Sequence, residues 1–307
     1  MLHDLPARTE LHAFATLTLT DRQFLLGDGG GERTTITGAL SLAQAALVAG
    51  GGRQPVVLLM HGSGGINPAI PLWVRQINAA GIGTFVLDGF TGRGLASVSA
   101  NQALLGRLAF VLDLYRAMAL VARHPAVDPA RLVVMGFSRG GQAAVCSAMA
   151  RFHALWNADG PRQAATIALY PDCVARFQGD TALIPAPLRL FHGTPDDQNP
   201  IGPARAHVAR LVAAGHDATL VAYEGAHHGF DNPLSPAAAF NRASQSVRDC
   251  VIEEREPGVI VNAATGAPFT YADPCVALGA HIGGHAEAGA AVRRDVLAFL
   301  RSWRDGG

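Results

Sequence analysis

Gly136-Phe137-Ser138-Arg139-Gly140 places a serine between two glycines, after an apolar run and before a helix-like stretch. A serine hydroxyl is a poor nucleophile until an imidazole takes its proton. That imidazole in turn needs a carboxylate to fix its tautomer and stabilise its cationic form. G-x-S-x-G at a strand-to-helix junction holds the hydroxyl out on a sharp turn, and small residues are needed because flanking side chains would collide with strand and helix. Gly141 extends the small-residue stretch. In a chain with 35 glycines the pentapeptide alone is a weak signal, so its position between strand and helix carries the reading.

If Ser138 is a nucleophile, an acid and a histidine should follow in that order, each on a loop at the end of a later strand. Residues 187–192 run into Gly193-Thr194-Pro195-Asp196-Asp197, and the run ending at Tyr223 leads into Glu224-Gly225-Ala226-His227-His228-Gly229-Phe230. Asp196 and His228 are the assignments. Asp197 and His227 are immediate rivals, since spacing does not separate adjacent residues. Gly229 leaves room beside His228 for its ring to reach the serine. Each of these residues also has an ordinary reading as a solvated loop side chain, against which stands their order after successive strands.

A tetrahedral oxyanion requires preorganised donors, commonly the amide after the nucleophile and one from the loop behind an early strand. Arg139 supplies the first. The glycine-rich turn His61-Gly62-Ser63-Gly64-Gly65 supplies the second, from Ser63 or, as second choice, Gly64. A phosphate-cradling role for this turn lacks the Lys-Ser/Thr ending of a P-loop and the acid that accompanies G-x-G-x-x-G.

These residues demand a scaffold of strands whose ends converge. Continuous apolar runs at 55–60, 84–88 and 131–136 predict buried central strands, with further strands at 165–170, 187–192 and 218–223. Helical periodicity is expected near 70–80, 101–123, 139–151, 203–214 and 287–303. The alternation predicts an α/β fold, a mainly parallel central sheet with helices on both faces. Alternating segments near 15–20 and 34–40 suit an antiparallel edge, so residues of about 10–45 read as an N-terminal β extension. Residues of about 231–285, rich in Pro, Ala and Gly, read as an insertion that either shapes the substrate pocket or is a surface excursion. No linker divides the 307 residues, and one domain over 1–307 is expected.

Composition bounds the partners. The chain is 49% hydrophobic and 16% charged, with 24 Lys and Arg balancing 24 Asp and Glu and no basic run, which argues against nucleic acid. No apolar run approaches the roughly 20 residues of a transmembrane helix. The start, MLHDLPARTE, lacks a charged-then-apolar signal pattern. A soluble protein is expected, with its compartment, cytoplasmic or periplasmic and secreted, left open. The cysteines, at 146, 173, 250 and 275, show no CxxC pair. Cys250 and Cys275 flank a Pro- and Gly-containing segment that a disulfide would staple, the alternative being two free thiols. His281 and His285 lie four apart, but Ile282-Gly283-Gly284 between them lacks the acid of HExxH and disfavours a rigid helix, so no metal site is expected there.

With these motifs in place the sequence resembles the dienelactone hydrolase family of α/β hydrolases from about residue 56 to 303. The resemblance rests on the HGSGG turn at His61, the segment Asp88-Gly89-Phe90-Thr91-Gly92-Arg93-Gly94, the GFSRGG elbow around Ser138, and the pair Gly193-x-x-Asp196 and His228-Gly229-Phe230. It implies Asp196 rather than Asp197 as the acid, His228 rather than His227 as the base, and hydrolysis of a small-molecule ester or lactone without cofactor. The chain departs from the dienelactone hydrolases proper in carrying serine where they use cysteine, and in the long segment after His228. Arg93 and Arg139 are candidates for binding a substrate carboxylate. Set against this, Arg93 is equally suited to holding the Asp88 loop, and Arg139 to pointing along its helix to solvent. Phe90 and Phe230 are candidate apolar pocket walls, and Phe137 reads more naturally as core. A peptidase or acyltransferase using the same three residues, or a non-catalytic binding protein on this scaffold, are the competing readings.

Overall fold

The structure is a computed structural model that describes residues 6–44 and 52–306. The first five residues of the chain and the end of the expected N-terminal extension, residue 45, lie outside the described residues. Eight strands form one sheet: β1 (Pro6–Thr18), β2 (Glu32–Ala43), β3 (Gln54–Met60), β4 (Gly83–Asp88), β5 (Val127–Phe137), β6 (Ala165–Leu169), β8 (Leu188–Gly193) and β9 (Ala218–Tyr223). Their spatial order is β1-β2-β4-β3-β5-β6-β8-β9. From β4 to β9 all neighbours are parallel, while β2 pairs antiparallel with both β4 and β1.

Helices cover both faces because the central strands are apolar on both sides. Along β3, Val57 and Leu59 belong to one hydrophobic cluster and Leu58 and Met60 to the other, the period-2 alternation of a pleated strand. The Val57 face packs Trp73 and Ile77 of helix α2 (Ala69–Ala79) and Val292, Val296 and Leu300 of the C-terminal α7 (Ala286–Gly306). The Leu58 face takes α3 (Ala109–Val121), α4 (Arg139–Ser147), α5 (Ala150–Trp156) and α6 (Ile201–Ala213). A further helix, α1 (Asp21–Leu26), lies between β1 and β2 and closes a capping box in which Thr20 caps the Gln23 amide and the Gln23 side chain accepts from Thr20.

Two expected helices are interrupted, each for a local reason. The stretch 101–123 breaks at Leu105, whose backbone is extended, leaving a short 3₁₀ turn (Gln102–Leu104) before α3, and Gly106 beside it packs on Leu19 O, where a Cβ would overlap. The stretch 139–151 breaks between α4 and α5 at Met149, whose backbone is extended, because Ala148 and Ala150 bond to Ile184 and Ala182 instead of continuing the helix.

The segment after His228 is built from strands. β10 (Ala239–Ser246) pairs antiparallel with β13 (Ala277–Ile282), and β11 (Ile252–Glu256) with β12 (Val259–Asn262). β11 also runs parallel to β7 (Ala175–Arg176), in the loop after β6. Its apolar core is small: Val247, Cys250 and Ile252 are the buried members. A Cys250–Cys275 disulfide closes a loop with a sequence separation of 25 residues, and Arg151 donates to both carboxylate oxygens of the buried Glu254 at 2.6 and 2.8 Å.

Candidate active site

Ser138 sits at the junction of β5 and α4 with φ 55° and ψ −116°, a conformation that costs a non-glycine residue on the order of 1–3 kcal/mol. The surroundings leave it no alternative. Its amide donates to Leu169 O on β6 at 3.0 Å. A Cβ at Gly136 would overlap the Gly140 carbonyl, and one at Gly140 would overlap the carbonyls of Met60 and His61. The glycines of the motif therefore let β5, α4 and the end of β3 approach backbone to backbone, and that approach drives the serine outward.

Ser138 Oγ lies 2.8 Å from His228 Nε2, and His228 Nδ1 lies 2.9 Å from Asp196 Oδ2. The Asp196 side chain is fully buried, and its Oδ1 accepts the amides of Gln198 and Asn199 at 2.9 and 2.8 Å. With a carboxylate on Nδ1, the proton of a neutral His228 resides there, and Nε2 is left to accept from the serine hydroxyl. The sequence rivals go elsewhere. Asp197 turns to His281, whose Nδ1 is 2.8 Å from Asp197 Oδ2, and His227 faces the same group.

The ring of Tyr170 stands edge-on to His228 with centroids 4.7 Å apart. Tyr170 also has a positive φ of 39°, and its hydroxyl donates to the buried Asp231 at 2.6 Å, with Trp73 Nε1 donating to the other oxygen at 2.7 Å. Burial pushes the Asp231 carboxyl above its usual range against the pull of these two bonds. Sequence reasoning did not reach Asp231 or Tyr170. Tyr170 directly follows β6, but Asp231 lies mid-loop between β9 and β10, and their connection spans 61 residues.

The turn after β3 is pinned by His61. Gly89 N–H donates to His61 Nε2 at 3.1 Å, so the ring's proton lies on Nδ1, which donates to Gly62 O at 2.8 Å. Burial lowers the pKa of this imidazole and favours the neutral form, although the Gly62 bond and Asp88 act in the opposite sense. Gly62 packs directly on the serine, where an added Cβ would lie 3.1 Å from Ser138 Cβ. Ser63 is held through its carbonyl, which accepts from Val98 N and Ser97 Oγ at 2.8 and 3.0 Å. Among the described residues neither the Ser63 nor the Arg139 amide donates to a protein acceptor.

The substrate-binding residues named from sequence are placed differently. The Arg93 side chain is buried and grips Asp113 through two bonds of 2.7 and 2.9 Å, and it also donates to Gly89 O and Thr18 Oγ1. It ties the loop after β4 to β1 and α3 and does not line the cleft. Phe90 is also withdrawn, packed against His61 and Phe110 with centroids 4.6 and 5.3 Å apart. Phe230 lies behind Tyr170 and against Tyr223, buried from the cleft. Phe137, expected in the core, is buried yet contributes to the cleft wall. The Arg139 side chain does not reach solvent. It donates to Gln102 Oε1 at 2.8 Å and to the carbonyls of Leu105 and Gly106, stacked near Phe110. Burial lowers its pKa.

The cleft at Ser138 has a volume of about 270 Å³ and is walled by amides and hydroxyls, including Asn67, Ser99, Gln102, Gln198, Asn241 and Ser244. Asn241, Ser244 and Ile282 come from β10 and β13, so the segment after His228 forms part of the pocket. Gln245 fastens that segment: its amide donates to Ser99 O at 2.9 Å, and its side chain accepts from Gln102 N at 2.7 Å. Ser244 and Ser246 both donate to Gln198.

A mainly parallel sheet with helices on both faces and a serine on a strained turn at a strand's C-terminal end defines the α/β-hydrolase class of fold. The profile of the Dienelactone hydrolase family matches residues 43–253, and the chain belongs to that family. Its fold is similar to that of a dienelactone hydrolase-like promiscuous phosphotriesterase from metagenomic libraries, at 15% identity and a TM-score of 0.58, covering 95% of this chain and 98% of that one. It is also similar to a thermophilic esterase from the Planctomycetes species Thermogutta terrifontis, at 20% identity and a TM-score of 0.52 over 72% of this chain and 86% of that one. A third similar structure is a putative dienelactone hydrolase from Klebsiella pneumoniae subsp. pneumoniae, at 19% identity and a TM-score of 0.51 over 73% and 90%. A search of curated proteins returned no match. No described helix is long and apolar enough to cross a membrane.

Proposed function

We propose that this chain hydrolyses small carboxylic esters or lactones through an acyl-enzyme formed on Ser138. The observation that carries the reading is the continuous hydrogen-bonded relay of Ser138 Oγ, His228 and Asp196 at 2.8 and 2.9 Å. Family membership and an esterase of similar fold support it. The domain organisation that goes with it is one hydrolase unit over 1–307, extended at its N-terminus and after His228.

In the proposed reaction Ser138 Oγ attacks the ester carbonyl as its proton passes to His228 Nε2, and Asp196 stabilises the imidazolium without taking the proton. The oxyanion is received by the amides of Ser63 and Arg139. Ser63 is preferred to Gly64 because Gly62 already touches Ser138, which makes the next amide along the chain the nearer one. His228 then delivers its proton to the leaving alcohol. Water then enters, gives a proton to the same nitrogen as it adds to the acyl carbonyl, and the acyl–Oγ bond breaks as His228 returns that proton to Ser138 Oγ and the acid leaves. The 270 Å³ cleft, whose wall mixes amides and hydroxyls with Phe137, Tyr170, Ile282 and glycines, favours a short substrate over a long acyl chain.

Release of p-nitrophenol from p-nitrophenyl acetate tests this. Wild type should turn over, and Ser138→Ala and His228→Ala should each lose on the order of 10⁴-fold or more in kcat while keeping the wild-type melting temperature within a few degrees. An inert wild type, or a Ser138→Ala variant as active as wild type, overturns the assignment.

A further inference from the structure

Next to the triad residues stand two neighbours the reaction does not use. Asp197 follows Asp196 in the loop after β8, and His227 precedes His228 in the loop after β9. Both face His281 on β13. We propose that Asp197, His227 and His281 form a binding site for a divalent transition-metal ion, Zn²⁺ in the first instance, with its remaining position open to solvent.

The donor atoms of the three residues lie within 4.8 Å of one another. His281 Nδ1 is 2.8 Å from Asp197 Oδ2, and His227 Nδ1 is 4.0 Å from Asp197 Oδ1. Bonds of about 2.0–2.1 Å at tetrahedral angles set ligand atoms roughly 3.3 Å apart. One pair must therefore open by about half an ångström and the others close by up to about 1.5 Å, within reach of side chains that are a quarter to a half exposed. The buried His227 Nδ1 has no hydrogen-bond partner, so one imidazole already holds an unused lone pair or proton toward the cluster. Asp197 is oriented by the fold: its Oδ1 accepts the backbone amide of His281 at 2.8 Å, a support of the kind that fixes metal-binding carboxylates.

Two imidazoles and one carboxylate suit zinc, cobalt, nickel or copper, whereas magnesium and calcium take oxygen donors. On binding, the metal takes the place of the proton between His281 Nδ1 and Asp197, which moves to His281 Nε2 or is released to solvent. His227 and His281 border a cleft of about 570 Å³ that has no lining residue in common with the Ser138 cleft. The ion would therefore bind beside the reaction centre and tie both triad loops to β13. It plays no part in the hydrolysis proposed above, and stands or falls separately from it.

The test uses untagged full-length protein stripped with a chelator and titrated with Co²⁺, whose visible absorption reports tetrahedral coordination, followed by displacement with Zn²⁺. Wild type and Ser138→Ala should each take up one equivalent. His227→Ala and His281→Ala should weaken binding by about tenfold or more, and His285→Ala should bind as wild type. Zn²⁺ should raise the melting temperature of wild type and leave that of His281→Ala unchanged. Circular dichroism identifies any variant that has unfolded, and His281→Gln then takes the place of His281→Ala. No saturable Co²⁺ signal at millimolar metal, or a signal that the two histidine substitutions do not alter, overturns the site.

Discussion

The cleft around Ser138 is assembled from two regions held by different forces. The elbow between β5 and α4 is fixed by backbone packed on backbone: glycines at 136 and 140 admit neighbouring carbonyls where any side chain would overlap. It rests on a sheet whose β3 residues are all buried. The segment carrying β10 to β13 has three buried apolar residues at its centre and is held by other means: internally by a disulfide, and to the rest of the chain by the Arg151–Glu254 pair, by hydrogen bonds from Gln198 and Arg248, and by the bond that Gln245 accepts from the Gln102 amide. The part proposed to do chemistry thus tolerates almost no change of shape. The part that completes the pocket is fastened by a few replaceable links, which suits a region that would tune substrate preference.

The comparison predicts graded sensitivity. Gly140→Ala should be the most damaging, because its methyl has only backbone oxygens of Met60 and His61 to displace. A loss on the order of 3–5 kcal/mol is expected by urea denaturation, and wild-type stability in this variant would show that the elbow is less rigid than its contacts imply. Replacing both Cys250 and Cys275 by Ser releases a loop with a sequence separation of 25, worth about 3 kcal/mol in chain entropy. Hydrogen exchange should rise across β10 to β13 and KM should increase, with exchange in β3 and β5 unchanged. If protection falls equally in both regions, they form one cooperative unit and the contrast fails.

The smallest effect concerns acid. His207 on α6 is buried, which lowers its pKa from 6.5 to about 4 against the pull of Asp180. Between these values the unfolded chain binds a proton that the folded chain refuses, so this group's contribution is complete above pH 6.5 and falls as the pH drops toward 4. The loss is about 2 kcal/mol near pH 5. Stability measured from pH 7 to 4 should be less steep in His207→Leu. An unchanged slope would assign the acid sensitivity to other groups.

Much of the scaffold was legible because burial leaves a local trace. Apolar runs marked the six parallel strands to within a few residues, and the alternating segments near 15–20 and 34–40 became β1 and β2, longer than expected because the two strands pair with each other along nearly their whole lengths and not only where their side chains alternate. Thr20-x-x-Gln23 carries the capping-box signature of α1, a helix that the alternation near 15–20 does not predict. The structure withdraws Phe90, Arg93 and Phe230 from the cleft for a common reason: each lies in a motif segment that carries the family resemblance, yet its side chain packs inward. The polar residues that wall the cleft, such as Gln102, Gln198 and Ser244, carry no periodicity and no motif, and nothing in a linear reading separates them from surface amides.

What the sequence alone determined is the set of local rules: a serine that only glycine neighbours allow at φ 55°, an acid and a histidine following later strands in order, and a sheet with two buried faces. Tertiary structure decided the rest. Whether Asp196 or Asp197 meets the imidazole depends on which carboxylate the amides of Gln198 and Asn199 capture and which is left for His281. That choice between adjacent residues is made by partners 2 to 84 positions away, through hydrogen bonds whose directions exist only once the loops are packed.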